Sequence, residues 1–156
     1  MQKITTCLWF NDQAEEAANF YTSIFKNSKL GVISRYGEAG PGPKGSVMVV
    51  TFYLDGQEFM ALNGGPHFKF TEAISLVVNC DTQQEVDEYW EKLLQDGQKS
   101  RCGWLKDKYG VSWQVVPTIL GKLLQDENGD KTNNVMQAML KMEKLEVEGL
   151  KQAFEQ

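Results

Sequence analysis

The chain carries a single imidazole, His67, within ALNGGPHFKF (61–70). Histidine is the commonest metal ligand and a frequent general base, so chemistry of either kind would centre there. Gly64, Gly65 and Pro66 precede it and favour a turn. Two roles stay open for His67: a turn residue whose ring hydrogen-bonds backbone, and a polar contact at the edge of a pocket. Asn63, Gln114 or a carboxylate would be its partners, and linear order singles out none of them, so no catalytic residue is assigned. Phe68 and Phe70 alternate with Lys69, a spacing that directs both rings at one apolar surface in an extended segment. Trp9, Trp104 and Trp113 fall in predicted strands. They suit either core packing or the wall of a pocket for a flat, apolar small molecule. Arg35, beside Tyr36, offers a charge to an anionic substituent or to a surface ion pair. Cys7, close to Trp9, is a further pocket candidate.

Composition narrows the setting for such a pocket. A chain of 156 residues supports one ordinary domain, or two small modules sharing one. Its hydrophobic content is 42%, its charged content 24%, and its formal net charge −5. No dense Lys/Arg cluster occurs, which argues against a nucleic-acid partner. No apolar run is long enough to span a bilayer and MQKITTCLWF lacks a secretory pattern, so a cytoplasmic protein with no membrane partner is expected. The cysteines, Cys7, Cys80 and Cys102, are odd in number and form no CxxC, against a disulfide framework or a structural zinc. Cys7 and Cys80 sit in apolar runs, the setting of buried, inert thiols.

Two similar sets of elements must position these residues. ITTCLWF (4–10) predicts a strand stopping at a helix cap, Asn11-Asp12, with a helix over 13–25. Strands follow at 30–37, 46–54 and 57–63, the last two joined by the hairpin signal Asp55-Gly56. EAGPGPKG (38–45) is a loop and a candidate lid. The order then repeats: a strand at 73–79, a helix at 81–97 capped by Gly97, a weak strand within 98–102, and two strands flanking Lys108-Tyr109-Gly110. The helices align at an offset of 69 and the first strands at 68, which makes Cys80 an insertion. Helices are predicted at 119–124, 133–145 and 147–156, with Val135, Met136, Met139 and Leu140 forming one stripe that covers the sheet or docks on a second subunit. The expected fold is α+β: two βαβββ modules forming a cupped, partly closed mixed sheet with a C-terminal helical tail. As one domain it divides into module one (1–66), module two (67–117) and the tail (118–156). The concave side of the sheet is the expected pocket.

FNDQAEEAANFYTSIF, ALNGGPHFKF, CGWLKDKYGVSWQVVP and VMQAMLKMEKL resemble the PhnB-like, or 3-demethylubiquinone-9 3-methyltransferase, family. That family belongs to the vicinal oxygen chelate superfamily, with glyoxalase I, bleomycin-resistance proteins and extradiol dioxygenases. The resemblance covers nearly the whole chain and implies a homodimer. In metal-using relatives the first and last strands of each module supply His, Glu or Gln ligands. Carried over by position, those sites are Thr5, Met60, Ala73 and Gln114, of which Gln114 alone suits a hard cation. The expected function is binding of a small apolar or aromatic molecule, with no superfamily metal centre and no cofactor. A metal-dependent lyase, isomerase or dioxygenase using Gln114 and His67 is the first alternative. Methyl transfer to a quinone-like phenol is the second, and it finds no glycine-rich strand-to-helix turn in FNDQAEE.

Overall fold

The computed structural model describes residues 2–156. The chain divides into two compact units, Met1–Phe70 and Thr71–Gln156. The first contains β1 (Thr6–Phe10), α1 (Ala14–Ile24), β2 (Lys29–Arg35), β3 (Val47–Leu54) and β4 (Gln57–Asn63). Its sheet runs β1-β4-β3-β2, with β1 parallel to β4 and the other pairs antiparallel. The β3–β4 hairpin turns at Asp55 and Gly56, both at positive φ (49° and 78°), as the Asp-Gly pair predicts. Alternation gives the sheet two unlike faces. Leu8, Phe10, Val50, Phe52, Phe59 and Ala61 are buried on the face that α1 covers. The helix presents Ala14, Ala17, Ala18, Tyr21 and Ile24 to it, and Tyr21 stacks on Phe52. Full burial of residues such as Val50 and Phe52 contributes about 1.5–3 kcal/mol each.

The expected cap at Asn11-Asp12 is not formed. Gln13 holds the N-cap position without a side-chain bond, and α1 starts at Ala14. The cap comes from β4 instead: Asn63 Oδ1 accepts from the Ala14 amide at 2.8 Å. Asn63 lies beside Phe10 in the parallel pairing, so its carboxamide already reaches the first turn of the helix. Asn63 Nδ2 donates to the Val47 carbonyl, and the Asn63 carbonyl accepts from the Tyr36 hydroxyl.

The second unit repeats the plan with β5 (Ser75–Cys80), α2 (Gln83–Leu94), β6 (Gln98–Lys99), β7 (Trp104–Lys106) and β8 (Ser112–Pro117). Its sheet runs β5-β8-β7-β6, again with the first and last strands parallel. Register corrects one detail of the repeat. Cys80 pairs with Pro117 as Phe10 pairs with Asn63, and both partners lie equally far past their turn glycines, Gly56 and Gly110. Cys80 is therefore the counterpart of Phe10 rather than an insertion, and Ser75, not Ala73, is the counterpart of Thr5. At the end of α2 the positive φ falls on Asp96 (57°), not on the expected Gly97. A side chain on Gly97 would collide with the Lys106 carbonyl.

The tail belongs to this second unit as α3 (Thr118–Leu124), α4 (Gly129–Leu140) and α5 (Val147–Glu155). Helix α4 starts earlier than its apolar residues suggest, because Asn128 caps it by accepting from the Asp130 and Lys131 amides. Leu120, Val135, Leu145 and Leu150 form a small core with Val116 of β8 and Met139 packed on it. The methionine stripe thus splits: Val135 and Met139 pack inward, while Met136 and Leu140 are exposed. Backbone bonds from Cys102 to Met142 and from Gly103 to Glu143 tie the tail to the start of β7.

The β7–β8 turn is held by Asp107, which is only 3% exposed. Its Oδ1 accepts from the Tyr109 and Val111 amides, and its Oδ2 from Trp113 Nε1 at 2.9 Å. Asp107→Ala removes the carboxylate acceptor of three donors, two of them buried. It should lower unfolding stability by about 2–4 kcal/mol in chemical denaturation, with Asp107→Asn losing less. An unchanged denaturation midpoint for the alanine variant would remove Asp107 from this role.

Candidate functional site

Each sheet has one helix between its first and second strands, so each keeps a face that this helix leaves free, and in the second unit the tail reaches that face only at Val116, near the end of β8. In the first unit that face carries Cys7 and Trp9 of β1 beside Met60 and Leu62 of β4, with Val49 and Thr51 of β3 alongside. Cys7 is solvent-exposed, which corrects the expectation of a buried thiol. The alternation that buries Leu8 and Phe10 turns Cys7 to the uncovered side. Partial desolvation still raises its pKa above the ordinary thiol value. Trp9 Nε1 donates to the Gly65 carbonyl at 2.9 Å, and its ring meets Phe68 edge-on at 4.9 Å. Gly64 lies so close to this indole that an added Cβ would overlap the ring.

Segment 64–70 is therefore a turn wrapped on Trp9, not a strand. Phe68 and Phe70 consequently do not share a surface. Phe70 packs edge-on against Phe10, on the opposite side of β1 from Trp9. His67 is exposed in the turn, and its ring makes no hydrogen bond among the described residues. Asn63 is occupied by the helix cap and the Val47 bond. Arg35 is exposed on β2, where its guanidinium donates to the Gly45 carbonyl and pins the end of the 38–45 loop. Glu58, which sequence patterning passed over, lies on the same helix-free face and accepts from the Thr5 and Tyr53 hydroxyls.

In the second unit Gln114 of β8 lies between Val77 of β5 and Trp104 of β7 on the helix-free face. Gln114 Nε2 donates to Ser75 Oγ at 2.9 Å. Of the two roles open to it, Trp113 takes core packing. One residue from Gln114, it points to the covered face with Leu105 and Leu76, is 2% exposed, and bonds Asp107. Beside Trp104 is a cleft of about 450 Å³, lined also by Glu72, Lys99, Arg101, Lys106 and Ser112. Lys106 pairs with Glu72 and holds that carboxyl below the usual carboxylate range, chiefly through the hydrogen bond. Sequence patterning missed Ser112 because an isolated serine in a strand carries no spacing signal.

The positions that a superfamily metal would use hold, after the register correction, Thr5, Met60, Ser75 and Gln114. They offer two hydroxyls, a thioether and an amide, with no carboxylate or imidazole, and Gln114 is bonded to Ser75. That donor set does not fit a divalent cation. A nucleotide-like methyl donor fits no better. The β1–α1 junction is Asn11-Asp12-Gln13 and the β5–α2 junction is Asp81-Thr82, both without glycine, and both sheets are mixed rather than doubly wound.

Residues 2–116 match the family model described as 3-demethylubiquinone-9 3-methyltransferase. The structure of a putative 3-demethylubiquinone-9 3-methyltransferase, a PhnB protein from Bacillus cereus, is 49% identical, with alignment over 75% of this chain and 100% of that one and a TM-score of 0.69. A protein from Pseudomonas aeruginosa is 21% identical over 75% of this chain and 98% of its own, with a TM-score of 0.62. A fosfomycin resistance protein from Listeria monocytogenes is 16% identical over 80% of this chain and 98% of its own, with a TM-score of 0.57. The last two share the fold. No curated protein matches the chain.

The two strand thiols differ in reactivity by their faces. Cys80 is buried, and desolvation followed by the charges of Glu85 and Asp81 pushes its thiol up to about 12. A raised pKa keeps the thiol protonated and unreactive below that value. Alkylation of native protein at mildly alkaline pH, mapped by peptide mass spectrometry, should modify Cys7 and spare Cys80 until the protein unfolds. Modification of Cys80 in the native state at the rate of Cys7 would contradict this placement.

Proposed function

The chain belongs to the 3-demethylubiquinone-9 3-methyltransferase family, and from that premise we propose that it binds a small, flat, apolar or aromatic molecule on the helix-free face of its second sheet. The observation that carries this reading is the row Val77, Gln114, Trp104. An aliphatic surface, an amide and an indole lie side by side on adjacent strands, next to the cleft. An indole supplies area for stacking, and an amide fixes orientation, the usual division of labour in a small-molecule site. Trp9 and Phe68 form a second, smaller aromatic surface in the first unit. Relation to the glyoxalase and bleomycin resistance superfamily follows from the family and the shared fold. The reading assigns no methyl transfer and no metal step, because the residues at those positions suit neither group.

The same proposal includes a homodimer. Leu30, Val32 and Ile33 of the edge strand β2 are exposed, Val32 to 68%, and they form an apolar stretch that a second copy would cover. Three free cysteines suit a reducing, cytoplasmic setting, and the net charge of −5 speaks against a nucleic-acid partner. Among the described residues, no helix is long and apolar enough to cross a membrane.

Calorimetric titration with 2-naphthol, a neutral flat aromatic, tests the binding face. Trp104→Ala should weaken binding by about 1–2 kcal/mol without a comparable loss of stability. No binding to the parent protein, or equal binding to both, would sink the reading. Light scattering at micromolar concentration should report twice the monomer mass; a monomer would overturn the dimer.

A further inference from the structure

The cleft beside Trp104 is lined by more positive than negative side chains, although the chain as a whole is acidic. Its lining holds Lys99, Arg101 and Lys106 against one carboxylate, Glu72, in a chain of net charge −5. Two of these cations have partners: Lys106 pairs with Glu72, and Lys99 with Glu143 at 3.3 Å. Both pairs are solvent-exposed, so an exchange of partners costs little. The Arg101 guanidinium has no side-chain bond or ion pair among the described residues.

A second observation is independent of the charges. Ser112 lines the same cleft, is only 1% exposed, and its Oγ has no hydrogen-bond partner among the described residues. A buried hydroxyl left unpaired costs about 1–3 kcal/mol, so such groups call for an explanation. The register explains where it sits. Ser112 pairs with Lys106 across the β7–β8 ladder, and it shares the helix-free face with Gln114. An acceptor held in the cleft would satisfy this hydroxyl and meet the Lys106 ammonium from the adjacent position.

We propose that this cleft is an oxyanion subsite: it takes a carboxylate or sulfonate carried on a flat apolar body, with the oxyanion held by Arg101, Lys106 and the Ser112 hydroxyl while the body lies on Trp104. The proposal rests on the reading that the helix-free face of the second sheet binds such bodies, and it names their chemical class. Arginine presents a fork of donors matched to two oxygens, and a charged acceptor makes each bond shorter and stronger than a neutral one would. The subsite thereby selects ionised over neutral aromatics of the same shape.

The test compares 2-naphthoate with neutral 2-naphthamide by calorimetric titration of the full chain. The acid should bind about tenfold tighter than the amide, since hydrogen bonds to ionised groups are roughly twice as strong as neutral ones. Added salt should weaken the acid alone. Arg101→Gln and Ser112→Ala should each cost the acid several-fold in affinity and leave the amide unchanged. Ser112→Ala should also leave the melting temperature unchanged or raised, because it removes an unpaired buried hydroxyl; a lowered one would mark a structural hydroxyl and overturn its part in the subsite. Equal binding of acid and amide would overturn the subsite and leave the parent reading standing. Binding of neither would overturn both.

Discussion

One helix covers one face of a four-stranded sheet. Each unit of this chain has a single helix between its first and second strands, which covers one sheet face and leaves the other open, the tail touching the open face of the second sheet only at Val116. The covered faces follow from burial: Val50, Phe52, Phe59 and Ala61 under α1, and Val86, Trp90 and Leu93 of α2 over Leu105, Trp113 and Val115. On the uncovered faces the chain places Trp9, Cys7 and Glu58 in one unit, and Trp104, Gln114 and Ser75 in the other. That division of each strand into two sides sets which side chains a ligand can reach.

Polar anchors hold the division in place. In the first unit Asn63 joins the end of β4 to the start of α1 and to β3, while Tyr36 closes on its carbonyl. The turn after β4 is then wrapped on Trp9 by the indole bond to Gly65. In the second unit Asp107 gathers two turn amides and the Trp113 indole, which locks Trp113 to the covered face and its neighbour Gln114 to the open one. Gly103, at φ 84°, starts β7 against the Val115 carbonyl and Leu145, where a side chain would collide. That approach lets the tail attach at 102–103 through Met142 and Glu143. The tail is thereby built into the second unit and keeps a small core of its own.

The element order of both modules was legible, because Asp55-Gly56, the β-branched strands and the helical spacing of α1 and α2 are local signals. What sequence could not supply was long-range. The helix cap on α1 comes from Asn63, far along the chain, whereas local signals point to the adjacent Asn11-Asp12. Trp104 and Trp113 look equivalent as strand aromatics, yet register pairs Trp104 with Gln114 and Trp113 with Leu105, on opposite faces. Phe68 and Phe70 would share a side in a strand, but segment 64–70 is a turn and the rings straddle β1. Among the candidate residues, Trp104 and Gln114 come together on one face, as do Cys7, Trp9 and Phe68 in the other unit. Arg35 and Asn63 serve the loop and the cap. Ser112 was invisible because its significance lies in an absent hydrogen bond.

The account places binding on an uncovered sheet face and gives the tryptophans different duties. Trp104 is half-buried on that face, Trp9 stands on the corresponding face of the first unit, Trp90 is buried on the inner side of α2, and Trp113 is buried beneath that helix. Their indole N–H signals in a two-dimensional nitrogen–proton NMR spectrum report on each separately. On titration with 2-naphthoate, the Trp104 signal should move progressively while those of Trp90 and Trp113 stay in place. Saturable movement of Trp90 or Trp113 with Trp104 unmoved would contradict the account.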